Sequence, residues 1–143
     1  MQLAEPQFES VGLEPWQPAR PASIDFIPGD LVAALAKAQG EFAEIGKSKT
    51  ADAGKFRYRF ADLADVLEAV RKPLSANGLA LLQKPNVEAT DDGTLVSVET
   101  ILAHTSGASI RTHLALPADS RGAQAIGSAL TYCRRYSLLA LLG

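Results

Sequence analysis

Residues 79–116 contain three extended segments separated by two short turn signals, and this arrangement limits the fold more than any other feature of the chain. Residues 95–103 alternate around Val96, Val98, Thr100 and Leu102, and residues 109–116 around Ile110, Thr112, Leu114 and Leu116. Side chains two apart in a strand share a face, so each segment has an apolar side to bury. Residues 79–88 are apolar and then polar. Asp91-Asp92-Gly93-Thr94 and His104-Thr105-Ser106-Gly107 supply the turns, and Pro117 closes the third segment. Three strands joined this closely form an antiparallel meander.

Helical patterns flank the meander. Leu31, Leu35, Ala38, Phe42 and Ile45 recur at three- and four-residue steps, with Asp30 placed to cap the start and Gly46 to end the helix. Leu63, Val66, Leu67, Val70 and Leu74 form a second stripe after Asp62, stopped by Asn77-Gly78, with Pro73 disturbing the last turn. A third helix covers about 121–142. Ile126, Ala129, Leu130, Cys133, Ser137, Ala140 and Leu141 form its core face. Gln124, Gly127, Ser128, Thr131 and Arg135 lie opposite, followed by Leu138, Leu139 and Leu142. Its end is thus apolar all round, which fits burial between layers or subunits, or a chain that continues beyond Gly143. The fold class is α+β: a small antiparallel meander packed by a long C-terminal helix, with preceding helices.

Two stretches lie outside this frame. Residues 1–28 carry five of the eight prolines, and their apolar residues have no period. They read as an extended or disordered arm ahead of a core domain at 29–143. Phe8, Val11, Leu13, Trp16 and Ile24 in the arm dock on a partner or cover the domain itself. Residues 47–54 lack apolar anchors and read as a mobile basic loop.

At 143 residues with 47% apolar and 21% charged, the chain suits one domain with a real core. The net charge of −2 excludes a wholesale basic coat but conceals an asymmetry. Residues 1–46 hold seven acids and two bases, and residues 47–143 hold nine acids and twelve bases. A single cysteine excludes a disulfide framework or a Cys-rich zinc site and fits a reducing compartment. No apolar run is long enough to span a membrane, and the first residues, which lack a basic start followed by an apolar stretch, do not read as a signal peptide.

Enzyme templates fail. There is no Walker A loop, no Gly-rich dinucleotide fingerprint and no HExxH. His104 and His113 read as surface histidines, Cys133 as a buried structural thiol, and Asp91-Asp92 as a turn. The sequence predicts no catalytic residue, metal or cofactor.

Two basic features remain. In Lys55-Phe56-Arg57-Tyr58-Arg59-Phe60, cations and aromatics alternate, so a strand here places cations on one side and rings on the other. Cations pair with phosphates and rings stack on bases. A strand with an aromatic core face and a solvated basic face explains the alternation equally well. Lys47, Lys49, Arg71 and Lys72 add local positive charge. In Thr131-Tyr132-Cys133-Arg134-Arg135-Tyr136, the two arginines sit about 100° apart on a helix, and Arg135 shares the polar face with Gln124, Ser128 and Thr131. Gly127 in mid-helix costs about 1 kcal/mol against Ala. Close approach of another backbone or a ligand would account for it. So would a tight helix–sheet crossing beside two solvated arginines.

These segments resemble the Essential Recombination Function (ERF) family of single-strand annealing proteins of phages and bacteria. The matching pieces are Leu35–Gln39, Phe56–Val66, Pro73-Leu74 with Asn77-Gly78-Leu79, His104–Gly107, and the long motif Gln124–Leu138. In order and at family-like spacing they span about 31–143. The resemblance implies a non-enzymatic protein that binds single-stranded DNA and pairs complementary strands in recombination without ATP. It implies a homo-oligomeric ring or filament built on a small sheet packed by a long helix, like the core of eukaryotic annealing mediators. It also implies residence in the cytoplasm of a bacterium or phage-infected cell, no membrane, and a host single-strand-binding protein or exonuclease as a candidate partner. The candidate DNA-binding residues are Lys47, Lys49, Lys55, Arg57, Tyr58, Arg59, Gln124, Thr131, Arg134, Arg135 and Tyr136. The family commonly continues past this helix into a variable, often acidic tail. The alternative is an oligomeric interaction scaffold whose cations only solvate it.

Overall fold

The computed structural model describes residues 26–46, 49–53 and 56–143. Its elements are α1 (Gly29–Glu41), β1 (Lys49–Ala53), β2 (Phe56–Phe60), α2 (Leu63–Ala76), β3 (Leu79–Thr90), β4 (Gly93–His104), β5 (Ser109–Pro117) and α3 (Ala123–Leu142). The class is α+β, as the sequence predicts. The first 25 residues of the expected arm lie outside the described residues; at its end Phe26 and Ile27 are exposed.

The meander forms an antiparallel sheet in the order β3-β4-β5. Thr90 opposes Gly93 across the first turn, and Ala103 opposes Ser109 across the second. Alternation along β4 is complete: Val96, Val98, Thr100 and Leu102 are each fully buried. Leu81 and Leu102 are partners on this inner face, as are Val98 and Leu114. The long helix α3 packs against it, and no other described element covers the opposite face.

Among the described residues two apolar clusters result. Val96, Val98, Ala129 and Cys133 form the smaller, supported by Leu114, Leu116, Ile126 and Leu130. The larger joins Leu31 and Ala38 of α1, Val66, Val70 and Leu74 of α2, Leu79 and Leu102 of the sheet, and Leu138 and Leu142 of α3. The far end of α3 is therefore covered on two sides, by the sheet and by the helix pair. This explains its all-round apolar character and corrects the expected core face in one respect. Leu138 and Leu142, placed opposite the core, are buried, whereas Ala140 is exposed.

Local chemistry sets the helix ends. Asp62 caps α2 in a reciprocal box: Asp65 N–H donates to Asp62 Oδ1, and Asp62 N–H donates to Asp65 Oδ2, both at 2.9 Å. At the other end, Asn77 N–H donates to the Leu74 and Pro73 carbonyls at 3.1 and 3.2 Å. Gly78 then takes φ +70°, and a Cβ there would lie 3.1 Å from Thr105 Oγ1. Both left-handed backbone and close approach thus require glycine. The first helix departs from expectation at both ends. Pro28 occupies the N-cap position, and Asp30 lies in the first turn, accepting from Leu31 N–H at 2.8 Å. The helix stops at Glu41, because Phe42 turns extended with ψ 129°. Phe42 and Ile45 still reach the core from non-helical chain, so the apolar period outlasts the helix.

Residues 49–53 also differ from the expected loop. They form β1, paired antiparallel with β2 in a hairpin separate from the main sheet. Lys49-Thr50-Ala51-Asp52-Ala53 offers little apolar surface, but backbone pairing needs only N–H and C=O groups and an extended partner. The alternating residues of β2 provide that partner.

Candidate nucleic-acid interface

Arg135 ties α3 to the chain just after the hairpin. Its Nη1 donates to the carbonyl of Ala61 at 3.3 Å, and Ala61 directly follows the last residue of β2. Its guanidinium also lies over two rings, 4.9 Å from the centre of Tyr136 and 5.8 Å from that of Tyr132. Tyr132 lies three residues before Arg135 and four before Tyr136, spacings that make neighbours on one helix surface, whereas Arg135 and Tyr136 are consecutive and meet because the long guanidinium side chain folds over the ring. The two tyrosines contact each other with centroids 4.2 Å apart and planes tilted by 34°. They remain 49% and 41% exposed, so aromatic surface reaches solvent beside the half-buried guanidinium. The Tyr132 hydroxyl, followed by the Arg135 guanidinium, favours the Tyr136 phenolate and holds its pKa below the ordinary tyrosine value.

Along the same side of α3, Gln124, Gly127, Ser128, Thr131, Tyr132 and Arg135 line an open depression of about 580 Å³. Thr131 Oγ1 donates to the Gly127 carbonyl at 2.9 Å, which turns its hydroxyl back onto the helix. A Cβ on Gly127 would meet nothing within 4 Å. The tight helix–sheet crossing considered for Gly127 is therefore absent, and no other part of the described chain approaches it.

Arg134 points elsewhere. Its Nε donates to Gln83 Oε1 at 3.0 Å, and Gln83 Nε2 donates to the Arg134 carbonyl at 2.9 Å and to Thr100 Oγ1 at 3.0 Å. Thr100 and Ser137 hydroxyls lie 2.7 Å apart, and Ser137 donates to the Arg134 carbonyl at 3.3 Å. This network joins α3 to two strands, so the reading of Arg134 and Arg135 as two solvated arginines does not hold.

The candidate residues thus divide. Gln124, Thr131, Arg135 and Tyr136 share one surface, and Arg134 turns away towards β3. Within the hairpin, Lys49 opposes Phe60, Arg57 opposes Asp52, Tyr58 opposes Ala51 and Arg59 opposes Thr50. Lys49 therefore sits opposite an aromatic position, not opposite a cation. Lys47 and Lys55 lie outside the described residues. Sequence reasoning missed Tyr132, although its position four residues before Tyr136 was a usable signal. It also missed Gln83, whose role depends on a contact 51 residues away.

Other polar groups have structural roles. His104 is half-buried at the surface: its side chain is 15% exposed, and Nδ1 lies 3.7 Å from Asp30 Oδ2 and accepts from Ser106 N–H at 3.2 Å. His113 is exposed on β5 opposite Glu99. Cys133 is fully buried, and burial pushes its thiol pKa up. Among the described residues no group of three or more His, Cys, Asp or Glu side chains could hold a metal ion. No helix among them is long and apolar enough to cross a membrane.

The family model of the ERF superfamily matches residues 31–143. The match includes all three helices except the first two residues of α1, together with both sheets. The chain belongs to the ERF superfamily, a family associated with single-strand annealing in DNA recombination. No curated protein and no solved structure matches the chain.

Proposed function

We propose that this chain binds single-stranded DNA and pairs complementary strands without ATP, acting as a ring or helical oligomer of its 29–143 core. The observation that carries the reading is the cluster of half-buried Arg135 with the exposed rings of Tyr132 and Tyr136, set beside the root of a hairpin whose second strand is Phe56-Arg57-Tyr58-Arg59-Phe60. Guanidinium groups neutralise phosphates, and aromatic faces stack on bases of any sequence. Gln124 and Thr131 border the same depression and add hydrogen-bonding groups at its edge.

Annealing requires little beyond this. A strand held by its phosphates leaves base edges free to test a second strand. Correct pairs add stacking and hydrogen bonds, while mismatches stall the pairing. No covalent bond changes, so the reaction needs neither a general base nor a metal. Among the described residues no strand pairs with the outer edge of β3 or β5, which leaves backbone groups for side-by-side association.

The test is fluorescence anisotropy of a labelled oligothymidine strand and of a matched duplex over a salt series, with wild type and Arg135→Ala. The reading predicts preference for the single strand, with affinity falling linearly in log–log form with salt. Arg135→Ala weakens binding and flattens that slope while the circular dichroism spectrum stays unchanged. No binding by wild type at low salt overturns the reading.

A further inference from the structure

A second depression, of about 360 Å³, lies where α2, β3 and α3 meet. Its polar lining includes Arg71, Ser75, Gln83 and Arg134, set against leucine side chains such as Leu67 and Leu81. Arginines of two different helices thus line one cleft. No carboxylate lines it. Among the described residues, neither arginine has a carboxylate partner.

The geometry around Arg134 suits anion binding. Its Nε is engaged by Gln83 Oε1 at 3.0 Å, which fixes the guanidinium plane. The terminal amino groups carry four further N–H donors, and planar arginine donors match the oxygens of a phosphate in pairs. Arg71 brings a second positive charge, and the Ser75 hydroxyl brings a neutral donor. The apolar wall lowers the local dielectric, which strengthens attraction to an anion.

We propose that Arg71 and Arg134 form a phosphate-binding cleft, distinct from the Arg135 surface, that takes one backbone phosphate of single-stranded DNA. Assigning the phosphate to DNA rests on the function proposed above. Arg134 and Arg135 are adjacent on α3, so one polyanionic strand can engage both sites. Arg71 then acts with a residue 63 positions further along the chain.

The test follows the arginine Nε–H resonances of the nitrogen-15-labelled full chain during titration with inorganic phosphate and, separately, with a short oligothymidine lacking terminal phosphates. Both ligands are expected to move the Arg134 signal saturably in wild type and in Lys72→Gln, but not in Arg71→Gln. Lys72 is the control, an exposed cation beside Arg71 that does not line the cleft. In anisotropy titrations, Arg71→Gln is expected to reduce the salt slope by about 0.7, the value for one lost single-strand phosphate contact. An Arg134 signal that neither ligand moves overturns the inference, as does equal behaviour of the Arg71 and Lys72 variants. Movement with inorganic phosphate alone overturns the assignment to DNA. Movement with the oligonucleotide by a protein that fails to pair complementary strands supports the cleft and removes annealing.

Discussion

Gln83 and Arg134 hold each other in both directions. The arginine Nε donates to the glutamine carbonyl oxygen at 3.0 Å, while the glutamine amide donates to the arginine main-chain carbonyl at 2.9 Å. The exchange fastens the middle of α3 to the edge strand β3. It also passes through Thr100 to Ser137 in the buried layer between sheet and helix. Replacing Gln83 with Leu removes both donors and the acceptor. It should cost about 1–3 kcal/mol, the range for buried polar groups left without partners. Urea unfolding should show a lower midpoint with an unchanged slope. An unchanged midpoint would mean that the network contributes nothing net.

Gly127 separates protomer stability from function. Its backbone is ordinary helix in open space, so Gly127→Ala should raise the stability of the folded chain by about 0.5–1 kcal/mol through helix propensity. Gly127 also lines the depression beside Arg135. If DNA approaches the helix closely there, the same substitution should lower single-strand affinity. Higher stability with weaker binding is the expected pair of results, read by urea unfolding and anisotropy. Lower stability would show that the glycine is needed by the fold itself.

Asp30 should give the fold an acid-sensitive contact. The Ser106 hydroxyl, then the Leu31 N–H, lower its pKa; partial desolvation opposes this, and His104 adds a smaller pull. A carboxyl whose folded pKa lies below its unfolded value of about 3.9 stabilises above that pH and loses the effect as pH falls through the folded value. The Tm difference between wild type and Asp30→Asn should be constant from about pH 5 to 7 and shrink below about pH 4. A difference that persists undiminished under acid would show that the carboxylate charge is not the source.

Cys133 should behave as a packing residue. It is fully buried against Val96 and Val98, and its thiolate is disfavoured there. A thiol reagent such as Ellman's should leave the native chain unlabelled and react with one equivalent after urea unfolding. Rapid stoichiometric reaction of the native chain would contradict the packing.

Legibility in the sequence followed how local the determining interaction was. The second helix could be read at both ends because Asp62, Asp65 and Gly78 act on residues next to them. The meander could be read because one face of β4 is buried without interruption. The strand β1 could not, since its pairing is carried by backbone groups and not by apolar side chains. The end of α1 was hidden because Phe42 and Ile45 keep the helical period while packing from extended chain. For α3, a single stripe cannot describe a helix covered by a sheet on one side and by two helices on another. The two arginines were found as a pair, but their separation depends on Gln83 and Ala61, which only the folded chain brings to them.

The most direct measurement of the central claim is strand pairing itself. Two complementary oligonucleotides carrying a donor and an acceptor dye are mixed at concentrations where spontaneous pairing is slow, with the chain added and nucleotide omitted. Energy transfer should rise much faster with the chain than without it, and Arg135→Ala should remove most of that acceleration. An unchanged pairing rate under conditions where the chain coats both strands would contradict annealing and leave a single-strand-binding protein alone.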